Sequence, residues 1–454
     1  MTSVLLAMAA MLLVGVPVTR AVDRSARRGL LLGLAGLYGS GVVFLVMLAL
    51  ATIGVRWSAL SVAALLLLVA ATALLTARYA SRRTTAPHVP PASHTQATAT
   101  APHRFAYAID ALVALSLVAY VLYATLAPPW EWDFWAIWGL KGRVFFEAGS
   151  IDWRHLESPW NRFSHPDYPL LLPLNYAFTA LVGGAWNDRW LGLLFAGYAA
   201  ATLLVVRGLA RRECSPLAAS AITLAVAFAA LSRQVGMAEA PLIAFGGGGV
   251  LFLRAALAGG DVGAMRHAAL LLGLAACTKN EGLSLLVAVA LALGVTQPRF
   301  LPRLWPALAL ATPWLVLRAL HALPTDLAQG PLLARLAAHA DALGPIVSAL
   351  GTHLPRPWFW LAVLLALALA RAHLRREAFV LTVTALQATF FLGAFLVTPH
   401  DVLWHIATSW QRLAQQLALP LTFATLMLLT RVLDRRGDAH AALSTELPDG
   451  VRTA

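Results

Sequence analysis

Residues 105–143 read FAYAIDALVALSLVAYVLYATLAPPWEWDFWAIWGLKGR, an apolar run that ends in a cluster of aromatic side chains and acids. A helix needs roughly 20 apolar residues to cross the hydrocarbon core of a bilayer, and 105–127 meets that length. Comparable runs recur along the chain, and inside lipid only a helix satisfies its own backbone groups segment by segment. The sequence therefore predicts an all-α polytopic membrane protein.

Composition supports this class. The 454 residues are 59% hydrophobic and only 12% charged, whereas a soluble domain carries about 25% charged residues. The net charge of +13 comes mainly from Arg in short loops, which is typical of a topology signal and not of a nucleic-acid partner. With two Cys, a disulfide framework is not expected.

We predict about 12 to 13 transmembrane helices. They fall near 3–19, 29–54, 58–77, 105–127, 190–207, 216–233, 240–257, 267–278, 281–296, 304–322, 356–371, 378–398 and 413–431. Placing the Arg-rich loops in the cytoplasm puts the N-terminus outside, the C-terminus inside, and a group of loops at the outer (periplasmic) face of an inner membrane. These outer loops are 128–189, 234–239, 323–355 and 399–412.

This topology divides the chain and sets three local expectations. Residues 1–77 form a three-helix membrane extension, 78–104 a disordered cytoplasmic linker, 105–436 the membrane core with outer loop 128–189, and 437–454 a cytoplasmic tail. The apolar piece 168–185 lies on the outer surface or re-enters without crossing. The pair 267–278 and 281–296 is a short hairpin with TKNEG at its outer tip.

Juxtamembrane helices are also expected at the outer face. In residues 399–412, PHDVLWHIATSWQR, a helix would align Asp401, His405, Thr408 and Arg412 on one face and put apolar residues opposite. That pattern is typical of an interfacial helix. Residues 326–343 are a less regular candidate.

Candidate chemistry begins with Asp133, directly after the span 105–127. It could be a general base at the bilayer surface or simply a solvated acid, and Glu131 is its nearest rival. Eight of the fifteen Trp fall in 130–190, where they suit either a sugar-binding surface or an interfacial belt. Glu239 opens a span as a second active-site acid or as a favourable charge at a helix N-terminus.

Other polar residues carry similar pairs of interpretations. His165 and Asp167 lie in a Pro-stiffened turn whose spacing signals no metal site. Lys279 interrupts an apolar run, where ionisable residues are functional candidates, although an ion pair with Glu281 in a tight turn is simpler. Arg189 and Arg412 are unexpected at the outer face and would clamp a phosphate or snorkel to lipid head groups.

These landmarks together resemble the GT-C superfamily of integral-membrane glycosyltransferases, and most of all the bacterial branch of glycosyltransferase family 39, related to protein mannosyltransferases and the lipid A aminoarabinose transferase. The similar pieces are WDFWAIWGLKGR, HPDYPLLLPL, RWLGLLFAGY, GMAEAPL, ACTKNEGL and TPHDVLWHIATSWQRLAQQLALP, spanning about 130–420. Two features depart from that pattern. Three spans precede the core, and Asp167 stands where the aminoarabinose transferase has a Lys.

The resemblance implies a GT-C-type helical bundle and an inverting transfer of a sugar from a polyprenyl-phosphate donor to a lipid, glycan or protein acceptor. No cofactor is required, and a divalent metal is not signalled. Asp133 would be the catalytic base with Glu239 as a second acid. The substrate-binding set would be Lys141, His165, Asp167, Arg189, Lys279, His405 and Arg412. A transporter or flippase of a lipid-linked sugar is the alternative.

Overall fold

The structure is a computed structural model that describes residues 1–83, 103–231, 234–325, 331–340 and 342–446. Throughout these residues the chain forms helices joined by short loops and has no strand. The predicted class, an all-α polytopic membrane protein, is confirmed.

The helices follow one another along the whole chain. The first four are α1 (Thr2–Val22), α2 (Arg28–Thr52), α3 (Ala59–Arg83) and α4 (His103–Leu126). The central part contains α5 (Gly139–Ala148), α6 (Trp153–Glu157), α7 (Leu171–Gly183), α8 (Gly192–Ala210), α9 (Pro216–Ala230), α10 (Glu239–Leu242) and α11 (Gly248–Gly259). The last part contains α12 (Val262–Ala276), α13 (Asn280–Thr296), α14 (Trp305–Leu320), α15 (Leu332–Ala340), α16 (Leu343–Thr352), α17 (Pro357–Leu369), α18 (Ala378–Leu396) and α19 (Val402–Glu446).

Within the described residues, nine helical segments are long and apolar enough to cross a membrane. Helices α16 and α17, bent by 95° at their junction, add a tenth if they form one broken span. Four apolar helices are shorter, namely α7, α9, α12 and α13. The last three correspond to the predicted spans 216–233, 267–278 and 281–296.

Helix α7 decides between the two expectations for 168–185. Every residue from Leu171 to Ala180 is buried, which excludes a helix lying on the surface with one face in water. At 1.5 Å per residue, 13 residues reach only about 20 Å, too short to cross. The backbone N–H of Leu171 donates to the carbonyl of Cys277 at 3.1 Å, between α12 and α13. The segment is therefore a short interior helix and does not lie on the surface of the bundle.

Three other boundaries differ from expectation. Helix α3 runs to Arg83 and α4 begins at His103, so the ends of the proposed linker are helical, while 84–102 lie outside the described residues. The proposed tail 437–454 is helical to Glu446, and its remainder is also outside them. Residues 402–412 are not a separate interfacial helix, because they form the first turns of the long helix α19.

The loops between these helices gather at the two ends of the bundle. Segments 127–170, 234–238, 277–279 and 397–401 adjoin one end of the bundle, which we call the first end. The Arg-rich loops meet at the other, the second end. There the Arg254 guanidinium lies 2.6 Å from a carboxylate oxygen of Glu377 and 2.5 Å from one of Glu213, and Arg431 contacts both carboxylates. These ion pairs join the loop after α8 to α11, α18 and α19 at the second end.

Candidate functional site

The candidate site is a chain of charged side chains at the first end, and it begins with Asp133. The chain leaves α4 at Leu126 and starts a π-helical turn, Phe134–Trp138, directly after Asp133. The Asp133 carboxylate accepts a hydrogen bond from the guanidinium of Arg412. Both side chains are largely enclosed, with 20% and 15% of their surface exposed. The two residues are 279 positions apart in sequence, so only the folded bundle brings them together.

Glu239 continues the chain. It is fully buried at the start of α10, 3.7 Å from the Arg412 guanidinium and 2.9 Å from the ammonium of Lys279. Lys279, at the N-cap of α13, is also 2.8 Å from Glu281. Three carboxylates thus alternate with two cations: Asp133, Arg412, Glu239, Lys279 and Glu281. We call these five residues the ionic cluster.

A second layer of contacts fixes this cluster. The side-chain amide of Asn280, next to Lys279, donates to Asp167 at 2.9 Å, and the Arg318 guanidinium lies 3.8 Å from the same carboxylate. The turn that holds Asp167 is thereby tied to the N-terminus of α13. Asp167 and Lys279 are both buried, so the charge that interrupts this apolar run lies in the interior of the bundle.

Lys141 anchors the same turn from the other side. Its ammonium donates to the backbone carbonyl of His165 at 2.5 Å and lies 5.9 and 5.8 Å from the ring centres of Trp138 and Tyr168. His165 has a left-handed backbone, with φ of 49°, a conformation that is uncommon outside Gly. A cation held by a carbonyl and two aromatic faces keeps this turn in place.

Burial shifts the proton affinities of two groups near the cluster. Desolvation lowers the pKa of Lys141 to about 7, although the carboxylate of Asp167 opposes the shift. Desolvation also raises the pKa of Glu131, assisted by the neighbouring carboxylates Asp133 and Glu239 and opposed by Arg412. Both groups can therefore change charge nearer to neutral pH than free side chains do.

A π-helical turn lies close after each of the two acids Asp133 and Glu239. Asp133 precedes the π-helical turn Phe134–Trp138, and Glu239 opens a single helical turn that leads into another, Ile243–Gly247. Single π-helical turns inside α-helices occur frequently at functional sites. Here each one widens the helix just after a carboxylate that faces the cluster.

Not every predicted site residue joins the cluster. Arg189 is exposed, and its guanidinium lies over the ring of Trp190, 5.2 Å from the centre. Within the described residues no ion pair joins it to the cluster, so the Arg189–Arg412 phosphate clamp stays a prediction. His405 is half-buried and shares a hydrogen bond of 2.9 Å with Thr398, and it contributes no charge contact to Asp133.

Sequence reasoning missed two supporting residues and one signal. Asn280 and Arg318 hold Asp167, and neither was a candidate. The chain contains 34 Lys and Arg together but only two Lys, and these two are Lys141 and Lys279. Since all the other Lys or Arg positions are Arg, a Lys indicates a place where a compact, titratable ammonium fits better than a planar guanidinium. Among the described residues, no group of three or more His, Cys, Asp or Glu is arranged to hold a metal ion.

Comparison with protein-family models, with curated proteins and with solved structures found no match. The function must therefore be inferred from the site itself.

Proposed function

We propose that this protein is an inverting glycosyltransferase that moves a sugar from a polyprenyl-phosphate donor to an acceptor hydroxyl at the outer face of the membrane. The observation that carries the proposal is the pairing of Asp133 with Arg412 inside a largely apolar bundle. Such a pair holds both groups that this reaction requires, a carboxylate base and a phosphate-binding guanidinium.

Charged residues at this depth are expensive and are retained mainly for function. A polyprenyl-phosphate donor brings a lipid tail that favours the apolar bundle and an anionic head group that favours Arg412. A guanidinium can donate two parallel hydrogen bonds to one phosphate group. When the phosphate takes this place, the Asp133 carboxylate is released from its ion pair and becomes a free base.

The reaction then balances in a single displacement. The acceptor oxygen attacks the anomeric carbon, and the bond from that carbon to the phosphate oxygen breaks. The bonding electrons leave with the phosphate, which Arg412 stabilises. The acceptor proton passes to Asp133. Glu239 and Lys279 position Arg412 from behind, because Glu239 is in contact with both cations.

The direct test is sugar transfer by the full chain in nanodiscs. Polyprenyl-phosphate donors that carry different radiolabelled sugars would be incubated with a total membrane extract as the acceptor source. We expect protein-dependent loss of label from at least one donor, with free polyprenyl phosphate as product. Retention of every donor across the panel would contradict the proposal.

A second candidate function has its own observation. The ionic cluster contains three carboxylates and two cations, a net charge of −1 if all are ionised. A surplus carboxylate within a membrane bundle is typical of proton-coupled transport. A transporter or flippase of a lipid-linked sugar would move the intact donor between leaflets in proteoliposomes and would release no polyprenyl phosphate. The product of the same labelled donor therefore separates the two functions.

A further inference from the structure

A second polar feature adjoins the ionic cluster without belonging to it. A cavity of about 200 Å³ lies between the C-terminal end of α9, the N-terminal end of α17 and the first turns of α19. One water molecule needs only about 10–15 Å³ on this measure, and a crevice beside Glu281 provides about 20 Å³. The larger cavity therefore has room for a ligand.

The walls of this cavity are polar and aromatic. They include the glutamines Gln234, Gln411 and Gln415, together with Arg356, Phe359 and Trp360. Among the described residues that line the cavity, none is Asp or Glu. Most of these side chains are half-buried and Gln411 is exposed, so they remain reachable from outside the bundle.

Existing hydrogen bonds show which groups hold the walls together. Arg356 donates to the carbonyls of Phe228 and Ala229, at 2.5 and 3.1 Å, and so caps the C-terminal end of α9. Gln415 donates to the carbonyl of Leu231 at 3.0 Å. Because the Arg356 guanidinium is directed at the carbonyls of a helix end, which offset its charge, the amides leave the cavity suited to a neutral polar ligand.

The remaining chemistry fits a sugar ring. A carboxamide offers two donors and one acceptor, which complement hydroxyl groups that both donate and accept. The indole N–H of Trp360 already donates to the carbonyl of Pro355 at 2.8 Å, so this ring offers its apolar surface. Pyranose rings present hydroxyls at the edge and C–H groups on the faces, and these match amides and aromatic rings respectively.

The cavity also lies beside the ionic cluster. Gln411 and Gln415 are one helical turn apart on the same face of α19. Arg412 is the next residue after Gln411, so their Cα atoms are about 3.8 Å apart, and the Arg412 side chain is turned by about 100° to face Asp133. The cavity and the charged groups therefore adjoin different sides of the same turn of α19.

We infer that this cavity binds a neutral pyranose ring. If the proposed transfer reaction holds, that ring belongs to the acceptor, whose hydroxyl would then lie beside Asp133.

Saturation-transfer NMR on the full chain in nanodiscs tests the inference without any donor or turnover. The probes are methyl β-D-glucopyranoside, methyl β-D-galactopyranoside and methyl α-D-mannopyranoside. We expect transfer to the ring protons of at least one probe, and a loss of affinity of roughly tenfold in Trp360→Ala, since removing one buried aromatic contact has this effect. Gln411→Leu should weaken the same signal. Glucose should compete at least as well as glucose 6-phosphate.

The matched control is Trp358→Ala. Trp358 lies two residues away on the same helix, is 69% exposed, and does not line the cavity. The inference is overturned if no probe binds, if Trp358→Ala and Trp360→Ala lose equal signal, or if the phosphorylated sugar is preferred. A chain that binds a glycoside through Trp360 but fails the donor assay would contradict the proposed reaction alone.

Discussion

At the scale of single residues, the ion pair of Asp133 opposes its proposed role as a catalytic base. Its carboxylate is paired with Arg412, and a guanidinium stabilises the ionised form without leaving it free to accept a substrate proton. The base becomes available only when another anion displaces it from Arg412. In the proposed reaction, the pair would couple donor binding to activation of the base.

Replacing Asp133 by Asn tests this role. Asn keeps the size and one hydrogen-bond acceptor but removes the proton-accepting charge, so turnover in the labelled-donor assay should fall by roughly 100-fold or more. Asp188→Asn is the control, because Asp188 lies in the same long loop outside the ionic cluster. Normal turnover in Asp133→Asn would remove Asp133 from the reaction.

Lys141 gives a prediction about pH. Its pKa is about 7 in the folded chain against 10.5 in the unfolded one, because burial penalises the charge. Between these values the unfolded chain binds more protons, so this residue makes the free energy of unfolding rise with pH. Below about pH 7 the ammonium is charged in both states and its burial cost is complete.

In Lys141→Met this cost is absent. The variant also loses the hydrogen bond to the His165 carbonyl, which lowers its stability. The unfolding temperature of the variant minus that of the wild type should therefore be highest at pH 6 and should fall by a few degrees as the pH approaches 10.5. Intrinsic fluorescence in detergent, at fixed scan rate and protein concentration, measures it. Arg143→Met, an exposed position two residues on, should show no such pH dependence. A constant difference across pH would mean that Lys141 is not desolvated.

At this scale the sequence predicted individual residues better than their partners. Asp133, Glu239 and Lys279 stand out because charges are rare in apolar runs, and all three belong to the ionic cluster. Their pairing depends on how helices far apart in sequence meet, which periodicity does not contain. Arg189 illustrates this point, because the sequence does not show that its guanidinium lies over the ring of Trp190.

At the scale of helices, close packing depends on glycines. The Cβ of a residue replacing Gly39 on α2 would meet the backbone oxygen of Met11 on α1 at 1.9 Å, and one replacing Gly15 would meet that of Ala35 at 1.8 Å. Small residues at such crossings let two backbones approach closely in a membrane. The backbone carbonyl of the next residue, Ser40, accepts a hydrogen bond from Asn175 of α7 at 3.3 Å, so this crossing also supports α7.

We expect Gly39→Ala to lower the unfolding temperature by several degrees, because overpacking a tight contact typically costs about 1–3 kcal/mol. Gly36→Ala is the matched control. It lies on the same helix, and an added Cβ would have its nearest neighbour at 3.9 Å, so its stability should be unchanged or slightly higher. Equal stability of the two variants would show that α1 and α2 do not cross so closely.

Helix identity was predictable for the long spans because hydropathy over 18 or more residues is a strong signal. The shorter α7 was harder, since its length and composition suit a surface segment equally well. Its burial follows from contacts with α1, α2 and α5 that no local pattern records. For a related reason, residues 402–412 were predicted as an interfacial helix although they form the start of the long helix α19. Ile406 and Trp410, on the predicted apolar face, are buried and pack within the bundle.

At the scale of the whole molecule, charge is divided between two ends with different designs. At the second end, two arginines hold two carboxylates, Glu213 and Glu377, and the charges cancel. At the first end the ionic cluster leaves one carboxylate in excess. The network at the second end has equal numbers of cations and carboxylates, and it holds α8, α11, α18 and α19 together. The ionic cluster has one more carboxylate than cations, so it retains the capacity to take up a proton or a cationic group.

The orientation of these two ends decides where the proposed reaction takes place. Arg-rich loops favour the cytoplasm, which places the second end inside and the ionic cluster outside.

Single Cys substitutions can test this orientation at exposed positions without removing a charge. Trp160 and Trp404 lie at the first end, 87% and 57% exposed, and Gly259 and Ala372 are exposed at the second. In intact cells, an impermeant maleimide should label Trp160→Cys and Trp404→Cys, whereas Gly259→Cys and Ala372→Cys should react only after permeabilisation. The wild type supplies the background from Cys214, which is half-buried, and Cys277, which is buried. The reverse pattern would put Asp133 on the cytoplasmic side and contradict transfer at the outer face. Labelling of only one member of either pair would show that its two positions lie on opposite sides of the membrane, which would contradict the assigned alternation of the helices.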